Sequence, residues 1–195
     1  MKLAIILTIL LILIGGCSTV RDGRTISGIQ DLALNEQDLQ QLGMTSNLNE
    51  QDLEQLGITG TGTNCWTDEE YSNIIDSSLG QYSICGYTIL KDTEVVIELQ
   101  KFVNYEALNG TYQYNSQHLF GAKGLISENT FGDQSRFRVN SEDDYGAEFN
   151  EPGVYFYHLW ICKNEYIIHI TSKGTEEAAG ESITKIGRHI LSKFG

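Results

Sequence analysis

Two apolar runs parted by a short polar turn, VYFYHLWIC (154–162) and YIIHITS (166–172), leave this chain few ways to fold. Both are rich in β-branched and aromatic residues and both alternate, so they read as the strands of one hairpin around Lys163-Asn164. With a two- or four-residue loop, Leu159 faces Ile168, Tyr157 faces Ile170 and Ile161 faces Tyr166, which makes one apolar face for helices to cover. The other face then carries Phe156, His158, Trp160, Cys162, Ile167, His169 and Thr171, with His158 directly opposite His169. Opposed side chains have Cβ atoms about 5 Å apart. A three-residue loop would instead separate the two histidines, because a one-residue slip turns every side chain to the other face.

The remaining elements follow from local pattern. YSICGYTIL (82–90) and TEVVIELQKF (93–102) form a first hairpin around Lys91-Asp92. Tyr105 to Phe120 reads as a helix through Leu108, Tyr112 and Leu119, weakened by Gly110. SRFRVN (135–140) is a short strand. Thr175 caps a last helix running to Phe194, whose stripe Ala179, Ile183, Ile186, Ile190 and Phe194 keeps helical spacing. Lys185, Arg188 and Lys193 sit near its C-terminal end, where the helix dipole favours cations. Hairpin, helix, strand, hairpin, helix implies α+β: an antiparallel sheet of two hairpins plus a short strand, packed by a central and a C-terminal helix.

The N-terminus gives an address. Lys2 precedes an apolar stretch from Leu3 to Ile14, too short for the roughly 20 residues that span a bilayer. It has the length of a signal-peptide core. Ile14-Gly15-Gly16-Cys17 resembles a prokaryotic lipobox. That resemblance implies a signal peptide over 1–16 and a lipid on Cys17, whose acyl chains would hold the protein at the outer face of a membrane. The acidic balance, −13 for the whole chain, argues against nucleic-acid partners, whose phosphates attract Lys and Arg.

After a polar tether come two copies of one motif, LNEQDLQQLGMT (34–45) and LNEQDLEQLGIT (48–59). Each reads as a short capped helix. Asn35 is the N-cap, Asp38 sits in the first turn, Leu34 and Leu39 form a staple, and Gly43 ends the helix. Asn49, Asp52, Leu48, Leu53 and Gly57 repeat these roles. Helices this short are marginal alone, so residues 17–64 are expected to be a stalk, closed by the hinge TGTGTN (59–64). The alternatives are docking of the copies through Leu39/Leu42/Met44 and Leu53/Leu56/Ile58, or use of the 34–58 repeats as a motif for a protein partner. The compact α+β domain is expected over 65–195, opening with a helix capped by Thr67 and Glu70 that carries Tyr71, Ile74 and Ile75 on one side.

Outside the cytoplasm disulfides persist. Of Cys65, Cys85 and Cys162, the nearest pair is Cys65 with Cys85, closing a loop of about 20 residues worth roughly 3 kcal/mol; Cys85 with Cys162 is the alternative. The closing segment IIHITSKGTEEAAGESITKIGRHILSKF resembles the PsbP-like group of α+β domains, which end in a hairpin and a long packed helix. With its lipobox and LNEQDLQQLG stalk, the whole chain also resembles small surface lipoproteins of archaea. Neither resemblance implies an active-site motif.

Candidate chemistry is sparse. His158 and His169 could share a metal or act as an acid–base pair, yet such pairs more often pack or hydrogen-bond. No HExxH or CxxC accompanies them, so no metal, cofactor or catalytic residue is expected. Cys162 and His158 lie about 13 Å apart along one strand, too far for a thiol–imidazole pair. SEDDYGAEFNE (141–151) is acidic, but Tyr145 and Pro152 fall where a calcium-binding EF-hand loop needs oxygen ligands. Asn109-Gly110-Thr111 is a glycosylation sequon in a predicted helix. The face of Phe156, His158, Trp160, Cys162 and His169 is a candidate ligand face, packing being the plainer reading, and the leading expectation is a surface binding module; the alternatives are an extracytoplasmic enzyme or metal-binding protein using this face, and a structural envelope component.

Overall fold

A computed structural model describes residues 25–46, 65–67, 78–89, 93–117, 124–140, 153–174 and 176–195. The lipobox, the second repeat copy, the Thr67–Glu70 helix and the 141–151 acidic segment lie outside the described residues. So do the Lys91-Asp92 turn and Leu119.

The elements run in chain order as a 3-10 turn at Ile29–Asp31, α1 (Glu36–Leu42), β1 (Met44–Ser46), β2 (Cys65–Thr67), β3 (Leu79–Ile89) and β4 (Thr93–Phe102). Then follow α2 (Tyr105–Gln117), β5 (Leu125–Glu128), β6 (Gln134–Asn140), β7 (Tyr155–Lys163), β8 (Tyr166–Gly174) and α3 (Glu176–Ser192). The class is α+β, as expected. Eight described strands form one antiparallel sheet in the order β1-β3-β4-β8-β7-β6-β5, with β2 also on β3. The two hairpins are there, but β1, β2 and β5 extend the sheet beyond two hairpins and a short strand.

Both faces of the sheet are covered, each by a different helix. On one face Val95, Ile97 and Leu99 of β4, Ile168 and Ile170 of β8 and Leu159 and Ile161 of β7 pack under Ala179, Ile183, Ile186 and Ile190 of α3. Ala179, Ile183, Ile186 and Ile190 of the stripe read from the sequence are buried, whereas Phe194 lies past the end of α3 and is half-buried against the same core. Gly187 lets α3 approach closely, since a Cβ there would meet Leu159 Cδ2 at 2.9 Å. On the opposite face α2 sets Leu108 and Tyr112 against Trp160, Cys162 and Ile167. The helices thus do not share a face. Arg136 and Arg138 of β6 hold the far end of α2: Arg136 donates to the Ser116 hydroxyl at 2.7 Å and Arg138 Nε to the Ser116 carbonyl at 3.0 Å.

The expected stalk is corrected for residues 25–46. Ile29, Leu32, Leu34, Leu39 and Met44 are buried in the same core as α3, and β1 pairs with the outer edge of β3, Met44 opposite Ile89. The local reading of the first copy holds. Asn35 and Asp38 form a reciprocal capping box, and Gly43 ends α1 at φ 68°. The sequence does not show the tertiary contact that makes so short a helix stable: Asp38 accepts from His189 Nε2 at 2.8 Å and from Lys193 Nζ at 2.7 Å. Lys193 also donates to the Ala33 carbonyl at 2.7 Å. Burial alone would raise the Asp38 carboxyl, but these partners outweigh it and hold it below the usual range.

Cys65 lies directly opposite Cys85 and is bonded to it, while Cys162 is a buried free thiol. Burial and the Asp133 charge push that thiol up to about 11, so it stays protonated.

A chain beginning at Cys65 should therefore melt at least about 8 °C below the chain beginning at Cys17, roughly 2 kcal/mol for a domain of this size. Equal melting temperatures by calorimetry would refute the shared core. Reduction of Cys65–Cys85 should lower the urea-derived stability of the intact chain by roughly 3 kcal/mol.

Candidate functional site

The hairpin register decides which polar side chains meet. The turn is Asn164-Glu165, one position later than the sequence suggested, with Lys163 opposite Tyr166. Asn164 takes φ 54°, a conformation asparagine tolerates. Asp133 holds the turn there by accepting from Lys163 Nζ at 2.8 Å and from the Asn164 N–H at 2.9 Å. Each partner consequently shifts by two positions: Trp160 faces His169 and His158 faces Thr171. A shift of two keeps every residue on its expected face, so the histidines become diagonal rather than direct neighbours and still touch.

A hydrogen-bonded line crosses the sheet through five strands. The Tyr82 hydroxyl donates to Glu98 Oε1 at 3.0 Å. Glu98 Oε2 lies 2.5 Å from His169 Nδ1. His169 Nε2 lies 3.2 Å from His158 Nδ1, and the Asn140 side-chain amide lies 3.3 Å from His158 Nε2. The ends set the protons: the Asn140 NH2 donates to His158 Nε2, His158 Nδ1–H donates to His169 Nε2, and His169 Nδ1–H donates to the carboxylate. The two imidazole planes differ by 16° with centroids 5.5 Å apart, so the rings meet edge to edge along this line. Thr171 Oγ1 sits 3.3 Å from one ring nitrogen and 3.2 Å from the other. Trp160 stacks on His169 at 4.2 Å and 5°.

All four ring nitrogens are therefore engaged, and none is left to take a proton from a substrate. The lone pairs that could bind a metal accept hydrogen bonds instead, His169 Nε2 from His158 Nδ1–H and His158 Nε2 from the Asn140 amide. Among the described residues no group of three His, Cys, Asp or Glu side chains is placed to hold a metal ion. Burial, with the neighbouring His169, pushes His158 down to about 3 and keeps it neutral. Burial alone would raise Glu98, but the hydrogen bonds it accepts from His169 and from the Tyr82 hydroxyl hold that carboxyl below the ordinary range. Glu98 stays ionised at neutral pH.

The expected ligand face thus divides. Trp160 and Cys162 lie under α2, and His158 is 6% exposed. Towards the other end of the strands the face is partly exposed: the Glu98 side chain is 28% exposed and that of His169 is 16%. Phe156, Ile84 and Thr171 are half-buried around them and Val96 is exposed. Sequence reasoning missed Glu98, Tyr82 and Asn140. Glu98 left a trace, as an acidic residue inside an apolar strand, but only the pairing of β4 with β8 sets it opposite His169. Asn109, in the sequon, lies within α2 and is half-buried.

No family model and no curated protein matches the chain. Among solved structures, the extracellular domain of PknH from Mycobacterium tuberculosis matches with a TM-score of 0.46 and 12% identity, over 88% of this chain and 98% of that one. A likeness at that level says nothing of function.

The neutral His158 makes stability pH-dependent. Its folded value, about 3, lies below the ordinary 6.5, so the unfolded chain takes up the proton first as pH falls. Stability should then drop through the window from 6.5 to 3, by on the order of 2 kcal/mol between pH 7 and pH 5. His158→Gln should flatten that dependence in urea titrations. A wild-type stability equal at the two pH values would mean that His158 is not held neutral.

Proposed function

We propose that this chain is an extracytoplasmic, lipid-anchored binding module, and that its ligand sits on the partly exposed sheet face at Glu98 and His169. The observation that carries the reading is the full engagement of the imidazole nitrogens. A histidine pair with no free nitrogen is poorly suited to proton transfer but well suited to fixing an ionised carboxylate and a ring edge in one orientation. Preorganisation of this kind reduces the ordering cost of binding. A fixed carboxylate flanked by Ile84, Val96 and Phe156 favours a ligand with a cationic or hydrogen-bond-donating group on an apolar body. The net charge of −13 adds long-range attraction for such a ligand. The anchoring rests on Ile14-Gly15-Gly16-Cys17 and the apolar segment before it.

Trp160, stacked on His169, provides the readout. Titration with a panel of amines, amino acids and short basic peptides should change tryptophan fluorescence for at least one class, and Glu98→Gln should weaken that response roughly tenfold or more, about 1.4 kcal/mol. A panel without response, or a response indifferent to Glu98→Gln, would overturn this site. Separately, Cys17→Ser should move the protein from the membrane to the soluble fraction or leave the signal uncleaved. A cleaved variant that remains membrane-bound would refute the lipid anchor.

A further inference from the structure

Of the two copies of the motif, only the first lies within the described residues; the second, residues 48–59, repeats it in sequence. We infer that the surface holding residues 34–46 also binds residues 48–60 of the same chain, as a second and alternative occupant.

The first copy shows which residues docking uses. Leu34, Leu39 and Met44 enter the core, Asn35 and Asp38 close the capping box, and Asp38 reaches His189 of α3 and Lys193 just beyond its end. Gly43 then turns the chain so that Met44–Ser46 pairs with Tyr87–Ile89. The second copy supplies Leu48, Leu53, Ile58, Asn49, Asp52 and Gly57 at the same spacing. Over the thirteen aligned positions the copies differ at three: Gln40 against Glu54, Met44 against Ile58 and Ser46 against Gly60. Gln40 is exposed. Methionine to isoleucine keeps a buried apolar side chain of similar size. Ser46 takes part through its backbone pairing with Tyr87. Every side chain that docks the first copy is thus kept or conservatively replaced in the second.

The chain connection permits the exchange. β1 and β2 lie on the same edge of β3, and Ser46 faces Tyr87 while Cys65 faces Cys85, only two positions further along. That gap is about 7 Å. Residues 47–64 connect its ends when the first copy is docked. With the second copy docked, Gly60 would face Tyr87, and Thr61-Gly62-Thr63-Asn64 would span the same gap. Four residues reach up to about 13 Å, more than enough, and the shorter loop costs less closure entropy.

The exchange also loses something. Ile29 and Leu32 are fully buried beside the first copy, and their counterparts fourteen residues on are Gly43 and Ser46. The first copy is therefore the major occupant. In the alternative register residues 34–47 are released from this surface, so the reach from Cys17 to the domain grows by one repeat.

The test uses the full mature chain with Leu39→Ala, Leu53→Ala and both together, followed by melting temperature and amide exchange. Leu53→Ala alone should melt like the wild type. Leu39→Ala should melt below the wild type, by no more than loss of the Ile29 and Leu32 burial requires, and above the double variant, with exchange protection moving from 36–46 to 50–60. The double variant should fall about 5 °C or more beyond the sum of the single changes, the signature of coupled sites. Additive shifts, a Leu39→Ala chain that does not fold, or loss of protection at 36–46 without gain at 50–60 would each overturn the proposal. Protection at 50–60 that rises with protein concentration would assign the occupant to a neighbouring chain, and would overturn it as well.

Discussion

The fold depends on the alternation of β8 between two covered faces. Ile168, Ile170 and Ser172 point towards α3, and Ile167, His169 and Thr171 point the other way. β8 lies between β4 and β7, so both of its edges are paired as well. A one-residue slip against either neighbour would drive His169 into the α3 core and turn Ile168 and Ile170 out of it. The buried α3 face therefore fixes the register, and the register fixes which polar groups meet on the other side. Asp133, gripping the Lys163-Asn164 end, restrains the same hairpin at its turn.

Burying two imidazoles and part of a carboxylate in a sheet would be costly without partners. Here each polar atom in the line has one, from the Tyr82 hydroxyl to the Asn140 amide. The donors converge from both sides on the ionised carboxylate of Glu98, Tyr82 from one and the two imidazoles from the other. A satisfied polar network in a core is rigid, which is why the same residues serve structure and a candidate binding surface together. The line is buried at His158 and opens towards solvent at Glu98, where a ligand would meet it.

The N-terminal segment illustrates the limit of local reasoning. Caps, staple and terminating glycine of α1 are all legible in LNEQDLQQLG, and all are formed. A seven-residue helix is still marginal by itself, which favours a stalk. What stabilises it is His189 in the last turn of α3 and Lys193 just beyond it, about 150 residues away in sequence, together with burial of Leu34, Leu39 and Met44 in the core that α3 covers. No local pattern encodes that meeting.

By itself the sequence determined the class, the two hairpins, the α3 stripe, the nearest-neighbour disulfide and the face on which each residue of 155–174 lies. These depend on periodicity and short separations, which a linear chain records directly. The tertiary structure decided the rest: which helix covers which face, the two-position shift that makes His158 and His169 diagonal neighbours, the entry of Glu98, Tyr82 and Asn140 into their line, and the docking of 25–46. Each of these joins strands or helices distant in the chain. The pairing partner of a strand is chosen by the whole core, so that information does not exist in any one segment.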